Sequence, residues 1–264
     1  MSWRELYVQD VTTRGALVTG ASRGIGRATA VALAAAGHRV AVHYGHHRED
    51  ADQTLTLLPG EGHLVVGGDL ADPSAARGVV DEAVRGLTTL DVLVNNAAVA
   101  PQAANRHRIG EVGWDAWVET WNSMIHTNLL GAVNVTWAFV DQLIGRGAPG
   151  SIVNVGSRGA YRGEPDHPAY GAGKAALHAF GQSIAVALAP HRIAVTSVAP
   201  GFVATERQMA KLSGPEGDAV RAQSPFGRVG TPEEIAAAIV HLASPGAAWA
   251  SGAVLDLNGA SYLR

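Results

Sequence analysis

Gly15-Ala-Leu-Val-Thr19 is a short apolar run that leads directly into Thr19-Gly20-Ala21-Ser22-Arg23-Gly24-Ile25-Gly26. The run reads as a buried strand. Beyond the turn, Ile25 to Ala36 is helical in composition, and Gly37 stops it. A glycine-rich step from strand to helix presents backbone N–H groups and a helix N-terminus where a pyrophosphate can sit. The spacing is G-x3-G-x-G, not G-x-G-x-x-G, and three glycines also suit a plain tight turn. The pattern on either side decides between these.

Working outward, Arg39–Tyr44 alternates as a second strand, and Glu49–Leu58 is a helix closed by Pro59-Gly60. His63–Val66 is a third strand, Pro73–Gly86 a helix and Asp91–Asn95 a fourth strand. Glu111–Leu143 reads as one long helix carrying Trp114, Trp117, Trp121 and Trp137. Ser151–Val155, Ile193–Val198 and Ala253–Leu257 are the remaining strands, with helices at Ala169–Ala189 and Pro232–Ala243. Strands alternating with helices make βαβ units. The expectation is an α/β fold: a single doubly wound Rossmann-type domain over residues 1–264. It has a parallel sheet of about seven strands with helices on both faces. Segment 206–224 is polar and reads as a loop or short helices over a substrate, with a solvated linker as the plainer alternative.

Composition narrows the classes. The chain has 264 residues, 47% apolar and 16% charged, so it can bury a large core and is not disordered as a whole. Without cysteine it has no disulfide framework, thiolate nucleophile or thiolate metal site. A net charge of −3 argues against nucleic acid as a partner. The 32 glycines follow no three-residue period, which excludes a collagen-like chain. Met1–Thr13 lacks the pattern of a signal peptide, and no window approaches the ~18 apolar residues of a membrane helix. A soluble cytoplasmic protein with no membrane partner is expected.

Tyr170 and Lys174 are four apart on a helix, so they share a face. A free phenol titrates near ~10, and an adjacent ammonium lowers that value toward the range of a working acid–base group. Ser157 follows the fifth strand by two residues, at the sheet edge where open α/β proteins bind ligands. Asn128 lies inside a helix, where Asn is mildly unfavourable, and such a local inconsistency marks a residue with a task.

Taken in order, these motifs resemble the short-chain dehydrogenase/reductase family. They are the Thr19–Gly26 turn, Asp69, Asn95-Asn96-Ala97-Ala98, Asn128, Ser157, Tyr170-x3-Lys174 and Pro200-Gly201. The likeness covers nearly the whole chain. Pro225–Glu234 and Gly252…Asn258-Gly259 are similar to the 3-oxoacyl-(acyl-carrier-protein) reductase branch. The resemblance implies hydride transfer between a nicotinamide and a carbonyl carbon. Tyr170 would carry the hydroxyl proton and Ser157 orient the oxygen. Lys174 would hold the nicotinamide ribose and tune Tyr170, and Asn128 would bend its helix and hold a relay water. Cofactor contacts implied are Gly20, Ser22, Arg23, Gly24, Ile25 and Gly26 at the turn, Asp69 and Leu70 at the adenine, and Asn96, Ala97 and Ala98 at the ribose. Tyr170, Lys174, Pro200, Gly201, Val203 and Thr205 complete the set at the nicotinamide. Ala98 stands where Gly is commoner in the family, and Gly156 where the reductase branch has Ser.

The second strand ends in Val42-His43-Tyr44-Gly45-His46-His47-Arg48, with no carboxylate before Glu49 to accept a ribose hydroxyl. With Arg23 in the turn and His46 beyond the strand, NADPH is favoured, and NADH stays open. A metal at His43, His46 and His47 is disfavoured for lack of a ligand-spaced third partner. The partners expected are a small carbonyl or alcohol substrate and copies of the same chain, as a tetramer or dimer. Tyr161 and Arg162 are placed at the substrate entrance, and Trp121 in the core. Three functions stand: a carbonyl reductase acting on 3-oxoacyl thioesters or similar ketones, an alcohol or sugar dehydrogenase, and a non-catalytic nucleotide sensor. The complete Asn128–Ser157–Tyr170–Lys174 set argues against the third.

Overall fold

A computed structural model describes residues 14–264, so the reading of Met1–Thr13 lies outside the described residues. Strands β1 (Gly15–Val18), β2 (Arg39–Tyr44), β3 (Leu64–Gly67), β4 (Val92–Asn95), β5 (Gly150–Val155), β6 (Ile193–Pro200) and β7 (Val254–Leu257) form one sheet. Every pairing is parallel, in the order β3-β2-β1-β4-β5-β6-β7. The central strands are mostly apolar because both faces are covered; every residue of β1, β4 and β5 is buried, and the polar Asn95 donates to Asn154 on the neighbouring strand at 2.9 Å.

One face carries α1 (Gly24–Ala35) and α10 (Pro232–Ala243), whose Ala30, Leu33, Ile235 and Ile239 join Val18, Val40 and Val94 in a single cluster. Alanines on α1 let the two helices approach closely. The other face packs α3 (Pro73–Leu87), α5 (Ala132–Arg146) and α7 (Pro168–Leu188) through Val79, Val80, Phe139, Leu143 and Leu188. A short α2 (Arg48–Thr56) links β2 to β3. Helix starts follow the local sequence. Asp72 accepts from the Ser74 amide ahead of α3, and Thr231 with Glu234 forms a capping box on α10. Each has Pro at its first position, where a missing N–H costs nothing.

The long helix expected over 111–143 is interrupted. α4 (Trp114–Ile125) passes through a π segment, His126–Gly131, into α5. The break centres on buried Asn128, whose side chain leaves the helix to bond the loop after β4. Segment 206–224 is structured: a 3-10 turn Glu206–Gln208, then α8 (Met209–Ser213) and α9 (Gly217–Arg221). The one-turn helix α6 (Gly159–Arg162) follows β5. Trp121 is half-buried against Trp117, while Trp114 is 76% exposed.

Candidate active site

Strand order reverses between β1 and β4, and the glycine turn occupies the crevice at their carboxyl ends. Gly20 and Gly24 adopt φ of +63° and +56°, in the left-handed region. A Cβ on Gly26 would fall 2.3 Å from the Gly20 carbonyl oxygen. Asn96 donates its amide to the carbonyls of Thr19 (2.8 Å) and Gly20 (3.0 Å). The Thr19 hydroxyl accepts from the amides of Asn96 (2.9 Å) and Ala97 (3.0 Å). Asn96 is therefore committed to the turn, and Asn96–Ala98 offers a ligand mainly backbone and small side-chain surface.

His43, read from the sequence with His46 and His47 as facing solvent or a phosphate, instead braces the same turn from within. His43 is buried; its Nδ1 accepts from the Gly20 amide at 3.0 Å and its Nε2 faces the Gly68 carbonyl at 3.0 Å. The partners fix the tautomer, with the proton on Nε2. Burial pulls its pKa down to about 4, against the smaller pull of the Gly68 bond and Asp69. The folded state thus holds His43 neutral where the unfolded chain takes a proton. This contribution is complete above about pH 6.5 and is lost as pH falls toward 4, up to about 3 kcal/mol. Denaturant unfolding between pH 7.5 and 4.5 measures it. His43→Gln, which keeps an acceptor and a donor but does not titrate, is expected to flatten the slope; an unchanged slope contradicts the assignment. His178, also pushed down to about 4 by burial, supplies a separate share. His46 and His47 lie exposed beyond β2, apart from His43.

The residues at the turn fit a pyrophosphate, and an acidic side chain stands in for one. Arg23, the exposed N-cap of α1, makes no side-chain cap. Instead the Gly24 amide donates to Glu206 Oε2 at 3.1 Å, and Arg27 Nη1 lies 3.6 Å from Glu206 Oε1. An anion of the chain itself thus occupies the donors at this helix start. Ser22 and Ile25 flank it half-buried, and Thr205 lies alongside, its γ-methyl 3.1 Å from where a Gly24 Cβ would be. Because the carboxylate competes with phosphate, Glu206→Gln is expected to tighten nicotinamide-dinucleotide binding a few-fold in a fluorescence titration, a modest gain because Glu206 is largely solvated. Weaker binding contradicts this.

Ser157, Tyr170 and Lys174 converge beyond β5. Ser157 Oγ accepts from the Gly159 amide at 3.0 Å, and Ser157 acts on the Tyr170 hydroxyl as a near polar neighbour. Burial pushes Tyr170 up to about 12; Ser157 and Arg207 act downward and Glu164 upward. Lys174 is buried, donates to the Val155 carbonyl at 2.7 Å, and lies 5.8 Å from the Tyr170 ring centroid. Burial pulls it down to about 8. Lys174 sits over the ring face with its donor on Val155, so desolvation governs both groups. Asn128 accepts from the Val99 amide (2.7 Å) and donates to the Val99 carbonyl (3.0 Å), so its side chain fastens the loop after β4.

The remaining expected contacts divide. Asp69 is exposed just past β3, its carboxylate accepting from the Ala71 amide. Leu70 is buried beneath Gly131. Pro200 ends β6, and a Cβ on Gly201 would lie 2.9 Å from Asn258 Cα. Val203 turns into the core and bridges Gly230. His46 and Gly45 face open space at the end of β2. Tyr161 stacks on His178 and lies beneath Arg264, and Arg162 bonds Gln223.

A family model described as enoyl-(acyl carrier protein) reductase matches residues 20–259. L-rhamnose 1-dehydrogenase (NAD(P)(+)) of Sphingomonas sp. (strain SKA58) is 37% identical over 251 residues, covering 94% of this chain and 96% of that protein. The 3-oxoacyl-(acyl-carrier-protein) reductase FabG of Staphylococcus aureus (strain Mu50) is 34% identical, covering 95% and 99%. A crystal structure of a putative 2-deoxy-D-gluconate 3-dehydrogenase from Agrobacterium tumefaciens, with bound NADP, superposes with a TM-score of 0.83 at 32% identity, covering 94% and 96%.

Proposed function

The chain belongs to the short-chain dehydrogenase/reductase family and is an NAD(P)-dependent oxidoreductase, and from that premise we propose that it uses NADPH to interconvert a ketone and a secondary alcohol. The observation that carries this is the meeting of Ser157, Tyr170 and Lys174 at the sheet edge, beside a glycine turn whose amide already holds an anion. A bound nicotinamide would supply the hydride. The Tyr170 hydroxyl gives its proton to the developing alkoxide oxygen in reduction and takes it back in oxidation. Ser157 Oγ donates to the same oxygen and fixes its place. Lys174 keeps a charged or neutral amine beside the ring, and Asn128, through Val99, holds the neighbouring loop. Gly20, Gly24 and Gly26 leave room for the pyrophosphate, with Arg23 and the carboxylate-free end of β2 favouring the 2′-phosphate of NADPH. The NADP bound to the Agrobacterium relative supports the same choice.

Two substrate classes have relatives behind them. Tyr170 feels the charges of Glu164 and Arg207, which favours a small hydroxylated substrate such as a sugar over an apolar acyl chain. The S. aureus relative supports the 3-oxoacyl thioester reading. Segment 206–224 would cover either. Leu130, Trp137 and Ile144 are exposed at 40%, 59% and 43% and recur every seventh residue, a stripe that supports homo-oligomerisation. Turnover of aldoses, aldonic acids and 3-oxoacyl thioesters, each with both nicotinamides, tests the reading. Preference for NADH, or for acyl thioesters over sugars, overturns the corresponding choice.

A further inference from the structure

Among the described residues, two buried side chains are strong cations, Lys174 and Arg158. Lys174 belongs to the site above. Arg158 has no such account. It is 4% exposed, and no carboxylate of the described residues lies within 4 Å of it. Its guanidinium donates to the Ser261 hydroxyl and to the Gln223 side-chain carbonyl, both neutral, and lies 5.9 Å from the Phe202 ring centroid. A buried charge is ordinarily paired, because neutral acceptors do not repay its lost hydration.

Arg158 lines a cavity of about 290 Å³. None of Ser157, Tyr170 and Lys174 lines it. Its apolar walls include Phe202, Val220, Phe226 and Ile235. Two acids also line it, and each has its own arginine: Glu234 pairs with Arg228, and Asp256 with Arg264. Glu164 attracts Arg158 from further away and Arg162 opposes it. The charge left over at the cavity is the Arg158 guanidinium.

We propose that this cavity is a second binding site, for a small monocarboxylic acid with a compact apolar body. The guanidinium would meet the carboxylate through two parallel N–H donors, a geometry the planar fork favours. Both present acceptors have other partners on release. Ser261 Oγ donates to the Asn258 carbonyl at 2.6 Å, and Gln223 also accepts from Arg162 at 3.2 Å. Val220 and Gln223 come from segment 206–224, and Arg158 adjoins Ser157 in sequence, so a bound acid would join the cover of the active site to its floor.

The test is calorimetric titration of the intact protein, saturated with NADPH, with benzoate and 4-methylpentanoate, each against its primary amide. The acids are expected to bind at least about tenfold more tightly than the amides. Arg158→Met abolishes the difference, and Arg158→Lys retains part of it. Should Arg158→Met fail to fold, Val220→Trp decides, since it fills the cavity and keeps the charge; it is expected to lose acid binding. Tyr170→Phe is expected to bind the acids unchanged, which separates this site from the catalytic one. Equal binding of acid and amide, no binding of either, binding retained in Val220→Trp, or loss in Tyr170→Phe overturns the proposal.

Discussion

Tyr170→Phe is expected to lower kcat by about 10²–10⁴ while leaving NADPH affinity within a few-fold and the melting temperature nearly unchanged. The substitution removes one oxygen, the proton carrier, and keeps the ring beneath Lys174. Ser157, the nearest polar neighbour of that oxygen, keeps its bond from the Gly159 amide. Binding and chemistry should therefore separate: a cofactor titration stays normal, and single-turnover traces show no fast phase. The pH profile adds a check. Burial pushes the phenol up to about 12 and the lysine down to about 8, so at neutral pH Tyr170 carries its proton. That is the state a reduction requires at the start. Turnover by Tyr170→Phe at the wild-type rate would remove the phenol from the chemistry.

Gly26→Ala is expected to damage both stability and cofactor binding. The added methyl would lie 2.3 Å from the Gly20 carbonyl oxygen and 2.5 Å from Asn96 Nδ2. Both neighbours are fixed, one as backbone and one by its bonds to Thr19 and Gly20. Overpacking of this kind costs about 1–3 kcal/mol, or a few degrees in Tm for a chain of this length. The turn must open to relieve it, so NADPH affinity should fall at least about tenfold. Gly145→Ala in α5 is the control. Its Cβ would meet nothing within 4 Å, and the change should be neutral or stabilise by a few tenths of a kcal/mol. Equal effects of the two substitutions would show that the close approach at Gly26 does not matter.

The alternation of apolar runs and helical segments made the sheet legible, because buried parallel strands leave continuous apolar sequence. Gly15–Val18 is such a run, and Val92–Asn95 and Gly150–Val155 are nearly so, interrupted by Asn95, Ser151 and Asn154. Helix starts were readable at Pro73 and Pro232, where proline and a capping side chain stand together. The break between α4 and α5 was not, because apolar periodicity continues across it. The misfit of a lone Asn128, and the bend that the family resemblance implies there, were the signals of a bond leaving the helix. Spacing alone put Tyr170 and Lys174 on one helix face and Ser157 at the sheet edge; that the three meet was implied by the family resemblance. Their electrostatics were not legible, since the Val155 carbonyl that takes the Lys174 donor is a tertiary contact. His43 and Glu206 escaped for the same reason. Each acts on the glycine turn across a long sequence gap, with nothing local to mark it. Arg158 drew no reading from the sequence, because what sets it apart is its burial, a tertiary property.

The central claim is hydride transfer to a substrate carbon. NADPH deuterated at the transferable C4 position, incubated with the protein and a reducible ketone of the preferred class, tests it directly. The account predicts deuterium on the carbinol carbon of the product alcohol, with the label absent when Tyr170→Phe replaces the wild type over the same few turnovers. Cofactor binding with no labelled alcohol from any sugar or 3-oxoacyl substrate would contradict it.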